Sequence, residues 1–202
     1  MRFPPDRLLR MALAGAGVLI LLSGLATAKT YRQLQADQPE LFHPQTGYRI
    51  ERQRAPTPDD IPPPSLRVEA DEARKLLGKG AIAIDVLGAA QSRYDELDGT
   101  WPVNEQRFSL PGAIWLPEIG RGTLTGPMQA YLVSNLERLT GGDRAVPLLF
   151  FCIADCWMSC NAAQRAASLG YRNTYWFPEG TDGWQQNGWP LDAVEPVPVT
   201  VD

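Results

Sequence analysis

Cys152, Cys156 and Cys160 are the only cysteines in the 202-residue chain, and all three fall in FFCIADCWMSCNAAQRA, Phe150–Ala166. Thiols at this spacing suit several chemistries. Two of them can cycle between dithiol and disulfide. One thiolate can act as a nucleophile that carries sulfur. Thiolates can also hold a soft metal, such as copper(I), zinc or an iron–sulfur centre. The plainest use is packing, because cysteine is among the most buried residue types. Successive members of the series stand four residues apart. Helix-like turns would bring their Cα atoms to about 6 Å, within disulfide range if the side chains converge. Cys152 leaves a strand, so its distance to Cys156 depends on how the loop curls.

The neighbouring residues narrow the choice. Asp155 would repel thiosulfate or phosphate, and no basic residue precedes Arg165 in the loop. The arginine that closes a phosphatase anion loop is missing. Ser159 is placed to cap the following helix, which would make Cys160 a first-turn residue with a favoured thiolate. Cys160 equally suits packing beside the alanines. Trp157 suits a cover for the site, a partner contact or loop packing. Arg165 is either a solvated helix residue or one that reaches back to the loop. Glu179 and Asp182, in PEGTDGW, act on the same ligand or cap the short helix that holds Trp184. The single histidine, His43, lies far upstream, so a His-rich zinc site is excluded by count.

The elements that must position these groups alternate between strand and helix. KTYRQLQADQ predicts a short helix. The proline-rich run that follows, through Pro62–Pro64, predicts an extended arm that wraps a domain or links to it. Val68–Gly80 has helix-forming composition. AIAIDVLG predicts a buried strand that places Asp85 near its end. Gly88–Ser109 is polar and irregular, and PGAIWLP is a brief strand. Thr125–Gly142 predicts a helix with proline in its first turn and glycine past its end. AVPLLFFC is a strand, NAAQRAASLGY a helix, NTYWF a strand, and EGTDGWQQNGWPL a turn with a short helix. This alternation predicts an α/β fold, with a mainly parallel central sheet and helices on both faces. Ligands bind such sheets beyond the carboxyl ends of the strands, where Cys152 stands.

The first 28 residues set the compartment. A short basic segment precedes an uncharged apolar run ending at Ala26-Thr27-Ala28, the pattern of a cleavable signal peptide. Cleavage would leave no stable membrane span, and export would put the thiols in the oxidising periplasm. Three cysteines cannot all pair within one monomer. The formal net charge of −4 becomes −6 when three arginines and one aspartate leave with the signal. With no concentrated basic cluster after residue 28, nucleic acid is not an expected partner.

The order of elements resembles a rhodanese-like domain. The corresponding pieces are AIAIDV, LPGAIWLP, LLFFC before its loop, and LGYRNTYWFPEGTDGWQQNGWPL. The resemblance spans 68–197, with 29–67 as an N-terminal arm and 198–202 as a tail. It places Cys152 where a rhodanese forms its persulfide, with backbone amides around the loop as an anion nest. GYRIERQRAP, PGAIWLP, CIADCWMSCNAAQRA and YWFPEGTDGW also resemble a small exported family, the PQQ-dependent catabolism-associated CXXCW motif proteins. That resemblance implies an association with periplasmic alcohol oxidation by quinoprotein dehydrogenases and a redox role for the cysteines. This chain departs from the motif, because three residues separate Cys152 from Cys156, although Trp157 follows as in the motif.

The leading expectation is an exported thiol-redox or redox-accessory protein with a Cys152/Cys156 dithiol or disulfide. Its partners would be periplasmic alcohol-oxidation proteins or another thiol or disulfide. One alternative is a persulfide sulfurtransferase that uses Cys152. Another is a soft-metal-binding or non-catalytic interaction module, with Tyr175, Trp176, Trp184 and Trp189 as a partner surface. The cofactor is left open: copper(I) or another soft metal suits the thiols. The sequence does not support direct binding of PQQ, an anionic quinone, since no concentrated basic pocket is visible.

Overall fold

The computed structural model describes residues 29–89 and 93–200. The expected signal segment and the last two residues of the tail lie outside the described residues. Among the described residues no helix is long and apolar enough to cross a membrane.

β5 (Leu148–Phe151) is the run LLFF, buried at all four positions. A strand reads as a continuous apolar run when both faces of its sheet are covered. β5 lies between β2 (Ile82–Asp85) and β6 (Thr174–Phe177). β1 (Leu66–Arg67) forms one edge beside β6, and β4 (Ile114–Trp115) the other beside β2. Every pairing in this five-stranded sheet is parallel.

Alternate residues of β5 serve opposite faces. Leu149 and Phe151 pack with residues of α2 (Ala70–Gly78) and with Trp184 of α5 (Gly180–Gln186). Leu148 and Phe150 pack with residues of α3 (Gly126–Thr140) and α4 (Trp157–Ser168). The sheet therefore carries helices on both faces, as the alternation of elements predicts. The ends of α3 follow local chemistry. Thr125 Oγ1 accepts from the Met128 N–H, and Gly141 takes a left-handed conformation past the last turn.

The arm shares the α4 face of the core. Its helix, α1 (Tyr31–Asp37), supplies Tyr31, and Phe42 follows. Both rings meet Trp157, at centroid distances of 5.7 and 5.5 Å. The Arg49 guanidinium lies 4.7 Å from the Trp157 centroid. Trp157 is wholly buried, so its role is loop packing.

Three expectations change. Gly88–Ser109 is not wholly irregular, because β3 (Arg107–Ser109) pairs antiparallel with β7 (Asp192–Val194). Strands this short carry little periodicity of their own. α4 starts at Trp157 with Cys156 as N-cap, so Ser159 lies inside the helix. Its hydroxyl donates to the Cys156 carbonyl and accepts from Trp176 Nε1. Trp176 and Trp184 are buried, so these two rings serve the core, while Tyr175 and Trp189 are only partly buried and Trp189 packs on Trp184 at 4.6 Å.

Asp85 joins the two sheets. Wholly buried at the end of β2, it accepts from Ser109 Oγ at 2.6 Å, Arg107 Nε at 2.9 Å and the Leu87 N–H at 3.0 Å. Arg107 is its ion-pair partner on β3. Removing one partner of such a pair leaves the other charge uncompensated. Asp85→Ala is therefore expected to cost about 3–5 kcal/mol in urea unfolding. Adding Arg107→Met should recover a large part of that loss, and no recovery would mean that the pair does not set the cost.

Candidate active site

An α-helix opens with amide groups that no helical carbonyl can reach. In α4 the first of these, the Trp157 N–H, donates to the Gln53 carbonyl of the arm at 2.9 Å. The next two belong to Met158 and Ser159; neither makes a capping hydrogen bond to the Cys156 side chain, but both lie close enough to its sulfur to favour the thiolate. Cys156 therefore sits where a serine or aspartate ordinarily caps a helix, and a thiolate there meets partial positive charge. The hydrogen bond from Cys152 is the largest influence holding the Cys156 thiol below its ordinary range. The two amides and the charge of Arg54 add to it, against the opposing effect of burial.

Cys152 is the complement. It lies wholly buried just past β5. Burial, the hydrogen bond to Cys156 and the nearby Asp85 together push its thiol well above the ordinary range. The two neighbouring thiols are thus unequal, and Cys156 is the more readily ionised of the pair. The rhodanese resemblance puts the nucleophile at Cys152, but the structure gives the thiolate character to Cys156. The reason is that Cys156 alone reaches the helix amides and Arg54.

Cys160 stands apart from this pair. Its sulfur accepts from Gln164 Nε2 at 3.4 Å, and burial pushes its thiol far up. As the fourth residue of α4 it is past the unpaired amides, so the helix end does not favour its thiolate. All three cysteines are free thiols. Among the described residues no group of three or more His, Cys, Asp or Glu is gathered to hold a metal.

A cavity of about 290 Å³ opens at Cys156, with Gln53, Arg54, Glu118, Arg121 and Ile153 in its wall. The sequence shows no basic residue beside the cysteine loop, yet the fold delivers two from distant segments. Arg54 comes from the arm, whose backbone bridges to Cys156 and whose Ala55 N–H donates to the Asp155 carbonyl at 3.0 Å. Arg121 comes from the segment after β4 and pairs with Glu118. Asp155 is exposed and is not in the cavity wall, so the repulsion expected from it is not built into the site. The missed residues lie in GYRIERQRAP and LPEIGRG, but only the three-dimensional fold brings them to the sulfur.

The remaining candidates divide by where they point. Asp182 Oδ2 accepts from the Ala154 N–H at 3.0 Å, so PEGTDGW does face the cysteine loop. The Thr181 N–H reaches the Cys152 carbonyl at 3.0 Å. That approach needs Gly180, whose φ is +54°, since a Cβ there would stand 2.2 Å from the same carbonyl oxygen. Glu179 turns away toward Glu69, where burial and the like charge raise its carboxyl. Arg165 neither dissolves in solvent nor touches the cysteines. It is buried, and donates to the carbonyls of Ile119 at 2.8 Å, Arg121 at 2.8 Å and Gly122 at 3.1 Å. Asn161 donates to the carbonyls of Arg49 and Gly120 and accepts from the Arg49 N–H. These two α4 side chains hold the segments that carry Arg54 and Arg121.

No protein-family model matches the chain, and no curated protein sequence matches it. Solved structures give partial likenesses. The thiosulfate sulfurtransferase from Pseudomonas aeruginosa is 22% identical at a TM-score of 0.44, over 64% of this chain and 20% of that one. A variant of EanB in complex with hercynine is 19% identical at 0.44, over 65% of this chain and 32% of that one. The chain thus spans a fifth to about a third of the length of these two proteins. The human single-domain sulfurtransferase TSTD1 is 19% identical at 0.36, over 59% of this chain and 95% of that one.

Proposed function

We propose that this protein is an exported dithiol–disulfide exchange protein in which Cys156 attacks and Cys152 resolves. The observation that carries this reading is the hydrogen-bonded pair of thiols with opposite acidities, one of them at a cavity. The Cys156 thiolate attacks one sulfur of a disulfide. The substrate S–S bond breaks, a mixed disulfide forms, and one substrate thiolate leaves. Cys152 then loses its proton to that leaving thiolate and attacks Cys156. A Cys152–Cys156 disulfide forms and the second substrate thiolate departs. The protein gives up two electrons and the substrate accepts them; the reverse sequence oxidises a dithiol.

The signal-like N-terminus supports a periplasmic setting. The resemblance to CXXCW motif proteins supports a place beside PQQ-dependent alcohol oxidation. The rhodanese resemblance keeps sulfur transfer as a second reading, which the arginine-lined cavity also suits. There a persulfide would form on a cysteine without need of a second thiol.

Mass mapping of the oxidised protein should find a Cys152–Cys156 disulfide and a free Cys160. Cys152→Ser should trap a mixed disulfide on Cys156, and Cys156→Ser should abolish trapping. Absence of the Cys152–Cys156 disulfide under oxidising glutathione buffers would defeat the exchange reading. A persulfide on a single cysteine, formed and discharged without the other, would favour sulfur transfer.

The pH profile tests the assignment of roles. Thiolate is the reactive form, so a lowered pKa extends reactivity to lower pH. Iodoacetamide should modify Cys156 with a rate midpoint below that of an ordinary thiol, while Cys152 stays unmodified. Cys152→Ala should move the midpoint upward, and Arg54→Met should move it up by less. A midpoint at or above the ordinary value would remove Cys156 as the attacking sulfur.

A further inference from the structure

The Cys156 cavity has a charge pattern that depends on the state of the sulfur. Glu118 pairs with Arg121, and Gly88 leaves room for it: a Cβ at Gly88 would stand 1.9 Å from Glu118 Oε1. Arg54 has no ion-pair partner among the described residues. In the reduced protein Arg54 lies close enough to Cys156 to favour its thiolate. When Cys156 enters a mixed disulfide its negative charge disappears. Arg54 is then uncompensated beside the new bond, at the moment when the substrate's other atoms occupy the cavity.

A second feature points the same way. Gln53 belongs to the cavity wall, and its side-chain Oε1 is buried with no hydrogen-bond partner, while its amide nitrogen donates to the Arg49 carbonyl at 2.9 Å. A buried acceptor left unpaired costs about 1–3 kcal/mol, so a ligand N–H placed there gains correspondingly. The cavity volume, about 290 Å³, falls at the small end of ligand pockets. The walls thus offer a cation, an orphan acceptor and a thiolate within one small space.

We propose that the preferred substrate is a small disulfide of cysteinyl type, bearing a carboxylate and an N–H donor within a few bonds of the sulfur. The carboxylate pairs with Arg54 and the N–H donates to Gln53 Oε1 while Cys156 makes the mixed disulfide. This rests on the exchange reading above and adds the substrate class to it. The electron balance is the one given there, with the small disulfide as oxidant.

Stopped-flow measurement of mixed-disulfide formation on reduced protein tests the substrate class with three probes. Glutathione disulfide is anionic and carries N–H donors, 2-hydroxyethyl disulfide is neutral, and cystamine is cationic. The expected order of rates is glutathione disulfide, then 2-hydroxyethyl disulfide, then cystamine. Arg54→Glu should invert the ratio of glutathione disulfide to cystamine, with each rate moving about tenfold against the neutral probe. Gln53→Leu should slow glutathione disulfide, whose carboxylate Arg54 holds in place, more than either other probe. The neutral probe reports any loss of folding or of thiolate, because it has no charge to read. Reaction at Cys156 with equal rates for all three probes, unchanged in ratio by Arg54→Glu, would overturn the substrate class and leave the exchange reading intact. No reaction at Cys156 with any probe would overturn both.

Discussion

Three amide groups at the start of α4 need acceptors, and the site follows from how they are met. A carbonyl of the arm takes the first, at Trp157. A sulfur faces the next two. Side-chain oxygens are the usual acceptors at this position, and they are chemically inert. A neutral thiol is a poor acceptor and a thiolate a good one, so the helix start rewards ionisation of Cys156. The same demand fixes the arm, since releasing Gln53 would leave the Trp157 amide buried without a partner. One local requirement of helix geometry therefore ties the nucleophile, the arm and Arg54 together.

The second requirement is rigidity in the segments that ring the cavity. The described non-glycine residues with positive φ are Arg52 at 48°, Glu118 at 68° and Asp155 at 55°. One lies in the arm, one in the segment after β4 and one in the cysteine loop. Each is a backbone conformation that L-residues adopt at a cost, and such costs persist where the surroundings enforce them. Arg165 and Asn161 do the enforcing for two of the three segments, through five carbonyl contacts from one helix. Asp182 and Gly180 do it for the third. The strain falls around Cys156 rather than in the sheet.

The fold was legible because the strands are unmixed signals. LLFF and AIAID are apolar runs bounded by turn residues, and they become two of the three interior strands. Thr125 and Gly141 mark both ends of α3. The cysteines mark the candidate site, but the sequence leaves open whether Asp182 meets their loop or caps its own helix. What the sequence hid is non-local. Arg54 is just over one hundred positions from Cys156, and Arg121 sits in a segment with no periodic pattern. β3 and β7 exist only as each other's partners. Ser159 is a better cap than cysteine by propensity, so the helix start was placed late. The arm decides that start, because the Gln53 carbonyl is already waiting for the Trp157 amide.

The shared hydrogen bond makes the two cysteines unequal in a way that suits exchange. Donation from Cys152 stabilises the Cys156 thiolate and, by the same contact, holds the proton on Cys152. Only one sulfur can be the nucleophile at a time. In thiol–disulfide exchange a low thiol pKa also makes a good leaving group. In the proposed exchange, Cys156 is therefore both the sulfur that enters a mixed disulfide and the one most easily expelled from it. Once Cys156 is bonded to a substrate, it no longer accepts the Cys152 proton as a thiolate does. The contact that kept Cys152 protonated weakens, and its thiol becomes easier to ionise. In the proposed exchange, formation of the mixed disulfide thus activates Cys152, at a position fully buried from any external disulfide. On that proposal the burial of Cys152 acts as selectivity: the sulfur it can reach is the one already carrying the substrate.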